Sequence, residues 1–443
     1  MTPDNIRPTT GDSDWFVRDR FGLFIHWGLY AMGARHEWLK SREKMTDEQY
    51  EKYFKNFDPD LYDPKAWAEA ASDAGMKYFV VTTKHHEGFC LWDSAHTDYK
   101  APNTPAGRDL LRPMVEAFRE RDMRVGFYYS LIDWHHPDFV VEEKGPHPLR
   151  DLPETERAKL NEGRDQMRYA DYMQDQVREL LTDFGQVDIL WFDFSYPDEE
   201  NRTDFTKGKG REAWKSEEMV KLVRELQPNV LLDNRLELPD VPESWDFLTP
   251  EQAQPRQWVK HNGQPVVWEA CQTFSGSWGY HRDEQDWRST KQLIQTLIDC
   301  VSKGGNLLLN VGPTGRGEFD ARALDRLRGI GQWMKRHDKS IYGCTQAPEE
   351  FGTPEDCRLT YNPETNRLYV HLLSWPYKTL DLPGKAYVDQ VEYAQFLHDG
   401  SEVQLGATGW IEKQIGAGGE YQVLRLPQTE PDATIPVVEL FLK

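Results

Sequence analysis

Short apolar runs alternate with amphipathic segments over the first three quarters of the chain. The apolar runs predict strands at 21–28, 77–85, 124–130, 187–193, 229–235, 245–251, 265–272 and 305–313. Helical periods lie between most of them, and the segment at 63–75 begins at a capping Asp and ends at a Gly. Nearly continuous apolar strands that alternate with helices indicate a parallel sheet. Eight such strands predict a (β/α)8-like TIM barrel, irregular where the fifth and sixth strands leave little room for a helix.

The pattern changes near Gly343. From there on, short strands are separated by Gly, Pro, Asn and Asp turns, and no helical period intervenes. This arrangement is typical of an antiparallel β-sandwich. The sequence therefore predicts two domains, a catalytic barrel at 1–343 and a β-sandwich at 344–443.

Composition excludes several classes of partner. The formal net charge of −21 repels phosphate backbones and anionic lipid, so neither nucleic acid nor a membrane is an expected partner. The polar N-terminal stretch and the lack of a long apolar run predict a cytoplasmic protein. Five widely spaced cysteines without a C-x-x-C motif predict neither a disulfide framework nor a thiolate zinc site. The oligomeric state stays open, and a homo-oligomer is compatible with the sequence.

Polar and aromatic side chains follow nearly every predicted strand. The carboxyl ends of barrel strands share one face, where functional groups gather. Each residue alone is more simply a core or surface residue, but their coincidence at consecutive strand ends favours a functional site. The principal candidates are His26, Glu37, Trp38, His85, His86, Tyr129, Trp191, Asp193, Arg235, Glu251, Glu269 and Trp278.

The residue types at these strand ends favour paired carboxylates over other chemistries. His85 and His86, placed on opposite sides of a strand, would chelate a metal poorly together, and no H-E-x-x-H motif supplies more imidazoles. A G-x-S-x-G motif and a P-loop are also absent. Asp193 ends an apolar strand, where a lone buried charge would cost several kcal/mol, so it needs partners or a chemical role. Arg235 is the predicted partner that keeps Asp193 ionised.

An Asp and a Glu in a pocket of aromatic, His and Arg side chains suit glycoside hydrolysis. One carboxylate attacks the anomeric carbon and the other protonates the leaving oxygen. Three alternatives remain: a hydrolase of a related sugar such as α-L-galactose, a non-catalytic carbohydrate-binding protein, and a sulfate- or phosphate-binding protein. The acidic charge and the single arginine among the candidates disfavour the last.

Several sequence motifs resemble those of the α-L-fucosidases of glycoside hydrolase family 29. The matching stretches cover roughly residues 15–343. They are RFGLFIHWGLYA, EW at 37–38, FVVTTKHHEGFCLWDS, VGFYYSLIDWHHP, LWFDF, DFLTPEQ, WEACQTFSGSWGY and GGNLLLNVGPTGRG. The resemblance implies a barrel followed by a β-sandwich, and a retaining exo-hydrolase that removes terminal α-L-fucose from glycans without a metal or other cofactor.

The resemblance also implies residue roles. Asp193 matches the nucleophile and Glu251 the acid/base. Glu269 also stands at a strand end and competes for the second role, but its strand-like surroundings predict instead a substrate-binding residue that points into the barrel and bonds to Arg235 or His26. His26, Glu37, Trp38, His85, His86, Tyr129, Trp191, Arg235 and Trp278 fall where the family binds the sugar. Two departures are expected to affect the preference for the leaving group: Phe194 stands where the family often has Gly, and DNRLE at 233–237 replaces the frequent N-D-R-W.

Overall fold

The computed structural model of the protein describes residues 5–200, 203–406 and 421–443. Its largest sheet contains eight parallel strands in the order β5-β4-β3-β2-β1-β10-β9-β6, and each overlaps a predicted segment, with only β9 extending one residue beyond it. A bridge between Asp233 and Phe247 joins the two ends of this order, so the sheet closes into the predicted TIM-like barrel. The strands of this part of the chain are β1 Phe21–Ile25, β2 Tyr78–Lys84, β3 Arg124–Ser130, β4 Ile189–Asp193, β5 Leu231–Leu232, β6 Phe247–Leu248, the hairpin β7 Lys260–His261 and β8 Gln264–Pro265, β9 Val267–Thr273 and β10 Asn306–Val311.

The predicted irregularity lies between β5 and β6. Each of these strands has only two residues, and a 3-10 helix at Pro242–Ser244 replaces an α-helix between them. Five of the described α-helices begin at side chains that cap them. Asp63 accepts hydrogen bonds from the Lys65 and Ala66 amides, and Ser289 forms a capping box with Gln292.

The helices cover the barrel and fill its loops. They are α1 Asp14–Asp19, α2 Tyr30–Gly33, α3 Leu39–Arg42, α4 Asp47–Asn56, α5 Pro64–Asp73, α6 Leu111–Arg119, α7 Glu154–Leu160, α8 Gln166–Asp183, α9 Ser216–Leu226, α10 Thr290–Val301 and α11 Ala321–His337, with further 3-10 helices at Ala101–Asn103 and Asp338–Ser340. In the described part of the chain, none is long and apolar enough to cross a membrane.

Two antiparallel sheets follow the barrel, in the orders β11-β12-β13-β18-β15 and β14-β17-β16. Leucine side chains of both sheets share one buried apolar cluster, as the predicted β-sandwich requires. A short helix, α12, interrupts the strands, contrary to the helix-free prediction. The elements are β11 Thr345–Gln346, β12 Cys357–Asn362, β13 Arg367–Leu372, β14 Thr379–Pro383, α12 Lys385–Gln390, β15 Val391–Phe396, β16 Gln404–Gly406, β17 Tyr421–Arg425 and β18 Val437–Leu442.

The sandwich packs against the last barrel helices. The Trp333 indole of α11 donates a hydrogen bond to the Ile435 carbonyl at 3.0 Å, and Arg358 of β12 pairs with Asp299 of α10 at 2.6 Å. All five cysteines are buried free thiols. The predicted boundary near Gly343 falls between α11 and β11.

Candidate active site

A pocket of about 310 Å³ lies where the barrel strands end. This volume is within the usual range of small-molecule sites. Side chains from the ends of seven barrel strands or from the loops after them reach it, which is why the site could be anticipated from strand ends. The lining residues are Phe24, His26, Trp38, His85, His86, Tyr128, Trp191, Asp193, Phe194, Ser195, Asn234, Arg235, Glu237, Glu251, Cys271 and Trp278.

Asp193 is the last residue of β4, and its carboxylate is held by two donors. Arg235 Nη1 approaches Oδ1 at 2.6 Å, and the Tyr128 hydroxyl donates to Oδ2 at 2.7 Å. His86 Nε2 lies 3.9 Å from Oδ2. Burial alone would raise the pKa of Asp193, but the charge of Arg235, helped by His86 and Tyr128, brings it below its ordinary value. Asp193 is therefore ionised at neutral pH, as predicted from the sequence.

Arg235 bridges two carboxylates. Its Nη1 pairs with Asp193, while its Nη2 pairs with Glu251 Oε2 at 2.9 Å. The guanidinium also lies over the Trp191 ring, 4.3 Å from the centroid, a favourable cation–π position. A single planar group thus holds Asp193 and Glu251 within reach of one small ligand.

Glu251 follows β6 and forms a parallel bridge with Cys271 of β9. The backbone at Glu251 is therefore still hydrogen-bonded to the barrel sheet, while the Glu251 side chain extends towards the solvent. The Glu251 side chain is 44% exposed, compared with 13% for Asp193. Water can reach Glu251, whereas Asp193 lies deeper.

Aromatic rings form the deep wall of the pocket. Tyr128 and Trp191, on the neighbouring strands β3 and β4, stack with centroids 5.7 Å apart, and Phe24 packs against Trp191 at 5.5 Å. Trp278 lies 5.1 Å from the His26 ring. Such rings are suited to the apolar faces of a sugar.

Three neutral histidines complete this wall. Burial lowers the pKa of His26 to about 3 and that of His86 to about 4, and it also lowers the pKa of His85. His26 Nδ1 is 2.6 Å from Asn310 Oδ1, and His86 Nδ1 is 2.7 Å from Ser130 Oγ. Their other ring nitrogens are available for ligand hydroxyls.

The prediction that His85 and His86 lie on opposite sides of a strand is wrong. Strand β2 ends at Lys84, so both histidines belong to the turn that follows, and their ring centroids are 4.0 Å apart in one pocket. Even so, no group of three His, Cys, Asp or Glu side chains within residues 5–200, 203–406 and 421–443 is arranged to hold a metal ion.

Glu37 and Trp38 share a loop but differ in position. Trp38 lines the pocket, whereas the buried Glu37 carboxylate lies behind it and accepts a hydrogen bond from the Gly279 amide at 2.9 Å. Burial raises the pKa of Glu37 to about 7. Glu37 thereby ties the first βα loop to the loop that carries Trp278, and is not among the pocket-lining residues.

Two other predicted sugar-binding residues lie away from the pocket. Tyr129 points outwards, where its hydroxyl donates to Gln176 of α8 at 2.8 Å; the preceding residue, Tyr128, takes the inward position because side chains alternate along β3. Glu269 is fully buried inside the barrel and bonds to the Tyr78 hydroxyl. The predicted hydrogen bond from Glu269 to Arg235 or His26 is not formed. The structure corrects the placement of both residues.

The buried Glu269 should give the stability of the protein a pH dependence. Burial raises the pKa of Glu269 from 4.5 to about 8, so between these values the folded chain holds a proton that the unfolded chain has released. Stability must fall as pH rises through this interval, by an amount on the order of 5 kcal/mol. Glu269→Gln, which cannot ionise, should lose less thermal stability between about pH 5 and pH 8 than the wild type.

Thermal unfolding at both pH values measures this difference, and Glu154→Gln on the exposed face of α7 is the matched control. The control should follow the wild type. An equal loss of Tm in Glu269→Gln and the wild type would show that Glu269 does not carry the effect.

Comparison with known proteins identifies the family of this chain and agrees with the fold. A family model described as alpha-L-fucosidase matches residues 5–339. The plasma alpha-L-fucosidase of Pongo abelii is 30% identical over 389 residues, which cover 82% of this chain and 76% of the relative. The structure of alpha-L-fucosidase isoenzyme 1 from Paenibacillus thiaminolyticus is 47% identical, with a TM-score of 0.88 over 97% of this chain and 98% of that one.

A further similar structure captures a reaction step. It is an alpha-L-fucosidase from Bacteroides thetaiotaomicron, a trapped covalent intermediate in complex with 2-fluoro-fucosyl fluoride, obtained with a glutamate-to-glutamine mutant. It is 27% identical to this chain, with a TM-score of 0.80 over 99% of this chain and 98% of that one. The family model spans most of the sequence, and the protein therefore belongs to the alpha-L-fucosidase family.

Proposed function

We propose that this protein is a retaining exo-α-L-fucosidase that releases terminal α-L-fucose from fucosylated glycans. The observation that carries this proposal is the bridge of Asp193, Arg235 and Glu251 inside a pocket lined by aromatic rings and neutral histidines. A retaining reaction needs two carboxyl groups about 5–5.5 Å apart. A shared guanidinium is a compact way to bring them together.

The first step forms a covalent intermediate. Asp193, kept ionised by Arg235, attacks the anomeric carbon, while Glu251 gives its proton to the leaving oxygen. The bond from carbon to the leaving oxygen breaks as the bond to the Asp193 carboxylate forms. Before this step Glu251 has to hold a proton, so its ion pair with Arg235 must give way when the sugar arrives.

The second step restores the enzyme. Glu251, exposed to water, takes a proton from a water molecule as that water attacks the anomeric carbon from the side the leaving group vacated. Asp193 departs as a carboxylate, and fucose leaves with its original anomeric configuration. The trapped covalent intermediate of the Bacteroides thetaiotaomicron relative supports the same double displacement here.

Six further pocket residues bind the fucose in this proposal. His26, His85 and His86 present neutral nitrogens to its hydroxyls, while Trp38, Trp191 and Trp278 contact its apolar faces. Glu37, Tyr129 and Glu269 support the pocket from behind without touching the sugar. No step in this scheme calls for a metal or other cofactor. The cytoplasmic location stays a prediction from the sequence.

The identity of the first product tests the proposal. Proton NMR of nitrophenyl α-L-fucoside hydrolysis should show α-L-fucose first, followed by slow mutarotation to the β anomer. The α-L-galactoside serves as comparator, because its additional hydroxyl must meet the apolar wall, and it should react more slowly by a modest factor. Initial release of β-L-fucose, or faster release of galactose, would contradict the proposed reaction or substrate.

A further inference from the structure

Two residues at the pocket adopt a backbone conformation that L side chains rarely take. Phe194 has φ of +76° and Glu237 has φ of +57°, and both line the pocket. For a bulky residue such as Phe, a left-handed conformation is an outlier, and holding it costs on the order of 1–3 kcal/mol. Such strain persists where the surroundings impose it, which is often at a ligand site.

The Phe194 ring belongs to an aromatic cluster on one side of the pocket opening. Its centroid lies 5.3 Å from Trp38, 5.2 Å from His86 and 5.7 Å from Tyr196. The ring is only half-buried by these neighbours. The left-handed turn directly after Asp193 thus presents an apolar face beside the nucleophile.

Glu237 supplies a polar group to the same pocket. Its side chain is half-buried, yet within the described part of the chain its carboxylate makes no hydrogen bond or ion pair. Burial and the nearby Glu199 raise its pKa. Its oxygens are not among the fully buried atoms, so they remain accessible to a ligand that donates hydrogen bonds.

Both residues lie towards the opening of the pocket. Tyr128 and Trp191 in the deep wall are about 1% exposed, whereas Phe194 and Glu237 are half-buried, and the Glu251 side chain is 44% exposed. A terminal sugar fills the deep part, so the leaving oxygen faces Glu251 and the group attached to it extends towards the opening. Phe194 and Glu237 are therefore placed to meet that group.

We infer that Phe194 and Glu237 form a subsite for the sugar that leaves. Phe194 would pack against the apolar face of a hexopyranose, and Glu237 would accept hydrogen bonds from its hydroxyls. This inference rests on the proposed function and specifies the leaving group. The enzyme should prefer a second sugar ring to an apolar ring as the leaving group. It gives a role to both sequence departures, since Phe194 replaces Gly and Glu237 belongs to the segment 233–237.

Three substrates with the same fucosyl group test the inference. Fucosyl fluoride has no ring beyond the leaving atom, nitrophenyl fucoside has a ring without sugar hydroxyls, and a fucosyl disaccharide has both features. Phe194→Ala should lower kcat/KM about three- to ten-fold for the two substrates with rings and leave the fluoride unchanged. Glu237→Ala should lower kcat/KM about ten- to a hundred-fold for the disaccharide alone.

Control variants separate the ring from the backbone. Phe194→Gly also removes the ring but relieves the strain, so it should show the same substrate pattern as Phe194→Ala. Asp122 also has a left-handed backbone conformation, with φ of +56°, but it lies in the exposed turn before β3. Asp122→Gly should therefore leave the ratios of kcat/KM among the three substrates unchanged.

The outcomes are distinct. Equal losses on all three substrates in Phe194→Ala would show that Phe194 only positions Asp193, which overturns the subsite. Unchanged hydrolysis of the disaccharide by Glu237→Ala would overturn it as well. If the wild type fails to hydrolyse fucosyl fluoride at all, the proposed function itself is wrong.

Discussion

Asp193→Gly should lose turnover by a factor on the order of 10⁴ or more while keeping its fold. The loss follows from the proposed chemistry, because without the carboxylate no covalent intermediate can form. The fold should survive because Asp193 stands at the end of β4, and Arg235 keeps its second partner, Glu251. Steady-state kinetics and thermal unfolding measure the two effects separately.

Azide distinguishes a missing nucleophile from a damaged pocket. In Asp193→Gly, azide can enter the vacated space, attack the anomeric carbon and yield β-L-fucosyl azide, the inverted product. Asp233→Asn is the matched control, since Asp233 is a buried neighbour whose carboxylate accepts from the Phe192 amide at 3.0 Å; azide should not accelerate this variant. Activity near the wild-type level in Asp193→Gly would remove Asp193 from the mechanism.

Glu251→Ala should show a dependence on the leaving group that the wild type lacks. Without the acid, poor leaving groups such as a sugar should react about 10²–10⁴-fold more slowly, whereas fluoride or dinitrophenolate should still leave and form the intermediate. Azide should then speed breakdown of the intermediate and give the retained product, α-L-fucosyl azide. Measuring kcat/KM across leaving groups of graded acidity reveals the effect.

Glu269→Ala is the comparison that decides between the two glutamates. Glu269 is buried inside the barrel against Tyr78, so its loss should lower stability without a dependence on the leaving group. If Glu269→Ala shows that dependence together with azide rescue, and Glu251→Ala does not, the acid/base assignment must be reversed.

The sequence predicted the barrel and most of the pocket for two reasons. Side chains alternate between the two faces of a strand, and functional residues of a barrel gather where its strands end. Trp191 and Asp193 are two residues apart on β4, and both face the pocket. The same rule could have located Phe24, two residues before His26. It could also have placed Tyr128 inwards, because Tyr128 pairs in register with Trp191.

Positions that depend on where a strand ends were harder to predict. His85 and His86 share the pocket because β2 stops at Lys84, one residue earlier than expected. Glu269 lies within β9, whereas Glu251 stands just beyond β6. The sequence alone does not determine how deep in the barrel each glutamate lies. The sequence marked the segment 233–237 as a departure, but it did not predict the position of Glu237, which depends on a left-handed turn in a segment without glycine.

The two-residue strands β5 and β6 have a consequence for how the enzyme can change. Arg235 and Glu251 follow the strands with the fewest ladder hydrogen bonds in the barrel, whereas Asp193 ends a five-residue strand. Local opening is easiest where few backbone hydrogen bonds must break. Substitutions in or beside β5 and β6 should therefore change the relative positions of Glu251 and Asp193 before they unfold the barrel. The catalytic rate can thus change during evolution through these two strands with little loss of stability.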